Sequence, residues 1–250
     1  MFDSIDRDKI LLDLNSLRLK YLTDTRHRLS EGAIKHLHRG LLVRINMLEE
    51  SVVVLDDELG RADGPLNSYL ASKLTLLINA YYLNIAGSLD NLAWAIAYHH
   101  SLWAPVDEND KKQRRNAHLM NRQFLDAISA KGLANLNARL CSLKDWYWEM
   151  REFRDPAAHR IPITVPCAIY SESDIQEMQR LDSESANAIE KGDRNEARAA
   201  FQKSNSLGRQ MPVFISESTS MRFYDLAARV NQDHVNWHAI VEALLDEGFN

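Results

Sequence analysis

The sequence predicts an all-α protein, an antiparallel helical bundle with a small β-ribbon and an inserted helical hairpin. Three observations predict it. Apolar residues recur every three or four positions over long stretches, which is the helical period. Glycine and proline number only 9 and 6 in 250 residues, too few to punctuate a chain of many short strands. Four of the six prolines fall between 156 and 212, so irregular and extended structure is confined to one region.

The elements come in order. From about 27 to 60, Ile34, Leu37, Leu41, Ile45, Leu48, Val52, Leu55 and Leu59 make one apolar stripe, stopped by Asp63-Gly64-Pro65. From about 66 to 103, Leu66, Leu70, Leu74, Leu77, Tyr81, Ile85, Leu89, Leu92 and Ile96 make a second, ended by Pro105. Two long helices joined by a tight turn form an antiparallel hairpin. Residues 105 to 120 are polar, with a basic loop of Lys111, Lys112, Arg114, Arg115, His118 and Arg122. A short helix from about 122 to 131 ends near Gly132. A third long helix covers about 133 to 154, with a seam of Leu136, Leu140, Leu143, Tyr147 and Met150 whose next position is Arg154. Ile161 to Tyr170 and Met211 to Ile215 read as extended and pair as a ribbon. Between them, charged helices at about 173 to 190 and 193 to 206 join at Gly192 as a protruding hairpin. A last helix runs from about 219 to 246 on the stripe Phe223, Ala227, Val230, His234, Trp237, Val241 and Leu244. One domain spans 1–250, with 161–215 as the insertion.

Composition narrows the function. Hydrophobic residues at 45% and charged residues at 26% make an ordinary globular balance. A net charge of −5 argues against a dedicated duplex-binding protein, though not against a local basic site. Cys141 and Cys167 have neither disulfide-framework nor zinc spacing. The first residues carry acids and no apolar core of a signal peptide, and no apolar run approaches the ~18 residues of a membrane helix. A soluble, cytoplasmic protein without metal or cofactor is expected. There is no glycine-rich phosphate loop, His-Glu-x-x-His or Gly-x-Ser-x-Gly.

The sharpest chemistry lies in Arg154-Asp155-Pro156-Ala157-Ala158-His159. Arg154 continues an apolar seam, where a charge is costly unless it is paired or faces a groove. One reading pairs it with a buried acid such as Asp90. In the other, Asp155 caps a short turn started by Pro156, the helix breaks, and Arg154 and His159 converge. Positive neighbours Arg154 and Arg160 then disfavour the imidazolium, leaving a neutral His159 able to act as a general base. A guanidinium beside it holds a phosphodiester and stabilises charge that grows in the transition state.

Arg154, Asp155 and His159, after a long amphipathic helix behind a two-helix hairpin, resemble the HEPN superfamily and its Arg-x4-6-His motif. The extension His159-Arg160-Ile161-Pro162 is similar to the segment after the motif in some larger members. The likeness covers about 27 to 160 and the last helix. It implies a bundle that homodimerises and a metal-independent endoribonuclease, a toxin or defence component with an antitoxin or other protein partner. Its composite site forms where two motifs meet. Arg154 would hold phosphate, His159 would be acid or base, and Asp155 would orient one of them. Arg160, Asp90 and Asn91 are the expected substrate contacts. Other members are non-catalytic RNA-binding or protein-interaction modules, the alternative carried here. Pro156 is not required by the motif, and a turn there could aim His159 away.

The remaining candidates have plainer readings. Asp90 and Asn91 equally suit a polar tie between helices. His99 and His100 suit a helix C-terminus. His234 suits a satisfied core histidine, and Trp94, Trp103, Trp146, Trp148 and Trp237 suit packing. The basic loop suits phosphate steering or plain solvation.

Overall fold

A computed structural model describes residues 4–61, 65–159, 162–209, 211–216 and 222–249; for Thr25, Arg28 and residues 156–159 it describes the backbone alone. The fold is all-α, with one two-stranded antiparallel sheet among the described residues. None of the described helices is long and apolar enough to cross a membrane.

The chain opens with a helix that the apolar pattern does not reveal. Helix α1 (Arg7–Lys20) buries Ile10, Leu14 and Leu17. Exposed Leu12 and Leu19 lie off that face and blur the period. The first stripe of the sequence becomes α2 (Glu31–His36), a π-helical turn at Leu37–Leu41, and α3 (Leu42–Gly60). The Ser30 side chain caps its start by accepting from the Ala33 amide. Asn67 caps α4 (Ser68–His99) by accepting from the Leu70 amide at 2.8 Å.

The two stripes pack antiparallel along their length, as expected. Two glycines set the approach. A Cβ on Gly40 would lie 2.4 Å from the Asn91 side chain, and one on Gly87 would lie 2.2 Å from the Arg44 guanidinium carbon. Each glycine is therefore the floor on which a polar side chain of the opposite helix rests.

After the polar segment, α5 (Lys111–Asn116) and α6 (Arg122–Ala130) are short. The expected third long helix is two: α7 (Ala134–Ser142) and α8 (Lys144–His159). The break is at Leu143, where Ser142 Oγ donates to the Arg139 carbonyl at 2.7 Å and competes with the helix's own bonding. The seam continues through Tyr147, Met150 and Phe153, all buried, and not through Arg154. Arg154 stands at the margin of the core.

Asp155-Pro156 also departs from expectation. The helix is not broken there: α8 runs through Pro156 to His159. Proline is harmful chiefly in a helix interior, and this one lies in the last turn, where only one backbone bond is forfeited. Asp155 is engaged by Arg151 and Arg154 and is not free to cap a new turn.

The ribbon also forms differently. Strand β1 (Val213–Ser216) pairs with β2 (Arg222–Asp225), in register Phe214↔Tyr224 and Ile215↔Phe223. The expected partner segment touches the region only through bridges Thr164↔Ile215 and Ile169↔Arg209. Phe223 is thus on a strand and exposed, and the last helix begins later than expected. Between the bridges, the charged hairpin is as expected: α9 (Glu172–Glu190) and α10 (Arg194–Asn205) pack on each other. The final helix, α11 (Leu226–Glu247), is capped by Asp225, whose carboxylate accepts from the Ala228 amide at 2.8 Å.

One buried ion pair ties α4, α8 and α11 together. Asp233, fully buried, accepts from Tyr82 Oη and Trp146 Nε1 at 2.8 Å and from Arg229 Nε at 2.9 Å. Arg229 reaches Glu149 at 2.8 Å and lies 5.0 Å from the centre of the Phe153 ring. Burial pushes the Asp233 carboxyl up, against the pull of Arg229, Trp146 and Tyr82. Every partner is a donor, which suits the ionised carboxylate.

Candidate functional site

The outer shoulder of α8 carries the residues the sequence singles out. Positions 147, 151 and 154, and 148, 151 and 155, fall on one side of the helix at three- and four-residue steps. Trp146, Met150 and Phe153 point the other way and are buried in the core. The shoulder itself consists of Trp148, Arg151, Arg154 and Asp155, with the buried Tyr147 at its inner edge.

Asp155 is the hinge of the array. Its Oδ1 accepts from Arg151 Nη2 at 3.1 Å and from Arg154 Nη1 at 3.0 Å. The arginine side chains are about four-fifths covered, while the carboxylate is 43% exposed. One acid therefore holds two guanidiniums side by side near the surface. Asp90 on α4 lies within electrostatic reach of Arg154, Arg151 and Arg44. Burial raises its carboxyl above the usual range against the pull of those three cations, and Asp155 adds to the rise. Arg44 lies across Gly87 and donates to Asn84 Oδ1 at 3.2 Å. Three guanidiniums thus face two carboxylates, a local positive excess in an acidic protein. Partial burial strengthens its attraction for an anion.

Sequence reasoning missed the role of His118. It comes from the segment read as a basic loop, and it turns inward onto α8. Its Nε2 meets Tyr147 Oη at 2.6 Å and also Arg151 Nη1. Arginine can only donate, so Nε2 is the unprotonated nitrogen and the ring is neutral. Burial, then the charges of Arg151 and Arg154, lower its pKa to about 4. Burial likewise pushes the Tyr147 hydroxyl far up, and Asp90 adds to this. Neither His118 nor Arg44 carries a local sequence signal; only Arg151 does, one turn before Asp155.

The structure brings together Arg154, Asp155 and Asp90, and separates Asn91 from them. Asn91 points at Gly40 and hydrogen-bonds His36, which packs in a cluster with Trp94 and Tyr98 and meets Glu108 at 3.2 Å. His159 is placed by its backbone only; on an unbroken helix it lies about 140° around the axis from Arg154. The expected convergence of the two within one chain is therefore not produced by a helix break. Arg160 lies outside the described residues.

His234 and His100 follow the plain readings. His234 is buried and meets Asp13 at 3.1 Å. His100 Nε2 meets the Gly248 carbonyl at 2.8 Å. Among the tryptophans, Trp237 and Trp146 are buried, but Trp148 is 47% exposed and does not fit the packing expectation. Among the described residues, no group of three His, Cys, Asp or Glu is placed to hold a metal ion.

No family model, curated protein or solved structure matches the chain.

Proposed function

We propose that this chain is a HEPN-like, metal-independent endoribonuclease, working in the cytoplasm as a toxin or defence component. The observation that carries the reading is the pair of guanidiniums, Arg151 and Arg154, fixed side by side by Asp155 and backed by Asp90 and Arg44. Paired guanidiniums match the oxygens of a phosphodiester, and partial burial lets them stabilise charge that grows at phosphorus. Arg154 binds the scissile phosphate, and Asp155 orients it. His159 supplies the acid–base step: it takes the 2′-hydroxyl proton, the 2′-oxygen attacks phosphorus, the P–O5′ bond breaks, and the proton passes to the departing 5′-oxygen, leaving a 2′,3′-cyclic phosphate and a 5′-hydroxyl. The angle between Arg154 and His159 on one helix suits a site completed by a second copy, so the working unit is a homodimer, held in check by an antitoxin or other partner.

The test is RNA incubated with the protein in EDTA, scored for 2′,3′-cyclic phosphate ends. Arg154→Ala and His159→Ala each lower the rate about 100-fold or more if the assignment is right. Unchanged cleavage in both variants overturns it. One observation favours a second reading, a non-catalytic RNA-binding or interaction module. The unbroken α8 sets the backbone positions of Arg154 and His159 about 140° apart around its axis. RNA that binds and stays intact at high protein concentration is the signature of that module.

A further inference from the structure

We infer that Trp148 and the Arg151–Arg154 pair form a site for one unpaired nucleotide of single-stranded RNA, the base stacked on the indole and its adjacent phosphate on the guanidiniums. The inference rests on the RNA reading of the α8 shoulder and adds a residue that reading does not use, Trp148, as the surface that holds a base.

Trp148 is the exposed tryptophan of the described residues, and it sits one helical turn before Arg151. It is 47% exposed, so part of the ring stays accessible to a ligand. This ring is also held still. His118 stacks against it, with ring centroids 5.9 Å apart and planes 24° apart, and Tyr147 meets it edge-on at 5.7 Å. His118 is in turn fixed by Tyr147 Oη and Arg151. One network therefore positions both the platform and the phosphate-binding arginine. Its neutral imidazole leaves the stack free of a cation that would repel Arg151. A pre-set aromatic face beside a guanidinium pair is the arrangement by which single strands are gripped without base-edge readout. A duplex base, already stacked on both sides, cannot use it.

The experiment is fluorescence anisotropy with a labelled eight-nucleotide RNA, alone and annealed to its complement. The protein is tested as wild type, Trp148→Ala, Trp148→Phe and Arg154→Ala. The inference expects the single strand to bind more tightly than the duplex. Trp148→Ala lowers single-strand affinity about tenfold, Trp148→Phe keeps most of it, and duplex binding does not change. Near-wild-type melting of the Trp148 variants shows that the effect is at the surface. If Arg154→Ala weakens binding while Trp148→Ala does not, or if duplex binds as well as single strand, the stacking site is wrong and the phosphate site stands. If the wild type binds neither RNA, both fall.

Discussion

Replacing Asp233 by Ala removes a fully buried carboxylate from three elements at once. In the native protein it accepts from Tyr82, Trp146 and the Arg229 guanidinium. The variant leaves Arg229 buried, with only the partly exposed Glu149 as ionic partner. Breaking one side of a buried pair costs about 3–5 kcal/mol. The Tyr82 hydroxyl and Trp146 indole lose an acceptor in the core, at about 1 kcal/mol or more each. The sum is about 5–7 kcal/mol, a large share of the roughly 5–15 kcal/mol typical of native stability. At roughly 2–4 °C per kcal/mol for a chain of this size, melting falls by more than about 10 °C. Urea unfolding followed by far-ultraviolet circular dichroism measures it, provided the transition is two-state. The double variant Arg229→Met, Asp233→Leu separates the two contributions: it removes the orphaned charge and recovers most of the loss. A single variant within about 1 kcal/mol of wild type would refute the reasoning, since Arg229 would then find water or another acid at no cost.

Particular contacts set three further outcomes. Gly87→Ala places a methyl where the Arg44 guanidinium lies; the helix gains about 1 kcal/mol of propensity while Arg44 is displaced. Melting is therefore unchanged or raised while RNA affinity falls, and unchanged affinity would remove Arg44 from the site. His118 and His234 are both neutral in the fold, with pKa values lowered to about 4, chiefly by burial. The unfolded chain binds these protons from about pH 6.5 downward, so stability present above about pH 6.5 is lost as pH falls toward about 4. Unfolding titrations at about pH 7, 5.5 and 4.5 show the decline, and His118→Gln makes it shallower by up to about one proton. Asp225→Ala removes the cap of α11 and lowers stability by about 1 kcal/mol, read as a shift in urea midpoint at unchanged slope.

The apolar period by itself determined the all-α class, the α3–α4 hairpin and the long final helix, because each buries a stripe that is continuous in sequence; the α9–α10 hairpin, with thin stripes, was legible from its charged helices and the turn at Gly192. The period also pointed to Arg154 and Asp155 as unusual. What it could not carry is anything decided across the fold. Helix α1 was hidden because Leu12 and Leu19 lie off its buried face. The break at Leu143 has no apolar signal, with Ser142 Oγ on the Arg139 carbonyl beside it, and the buried seam ends on Phe153 in place of Arg154. The ladder goes to β2, and the described residues 162–170 add only the bridges at Thr164 and Ile169, since pairing depends on where chain segments meet in space. Asp155 looked like a cap by residue type, yet two arginines one and four positions earlier claim its carboxylate, so α8 continues. His118 reaches Arg151 and Trp148 from 33 and 30 residues away. Local propensity reads what one segment does alone; tertiary contact alone decides which charges share a carboxylate and which ring stands behind an exposed indole.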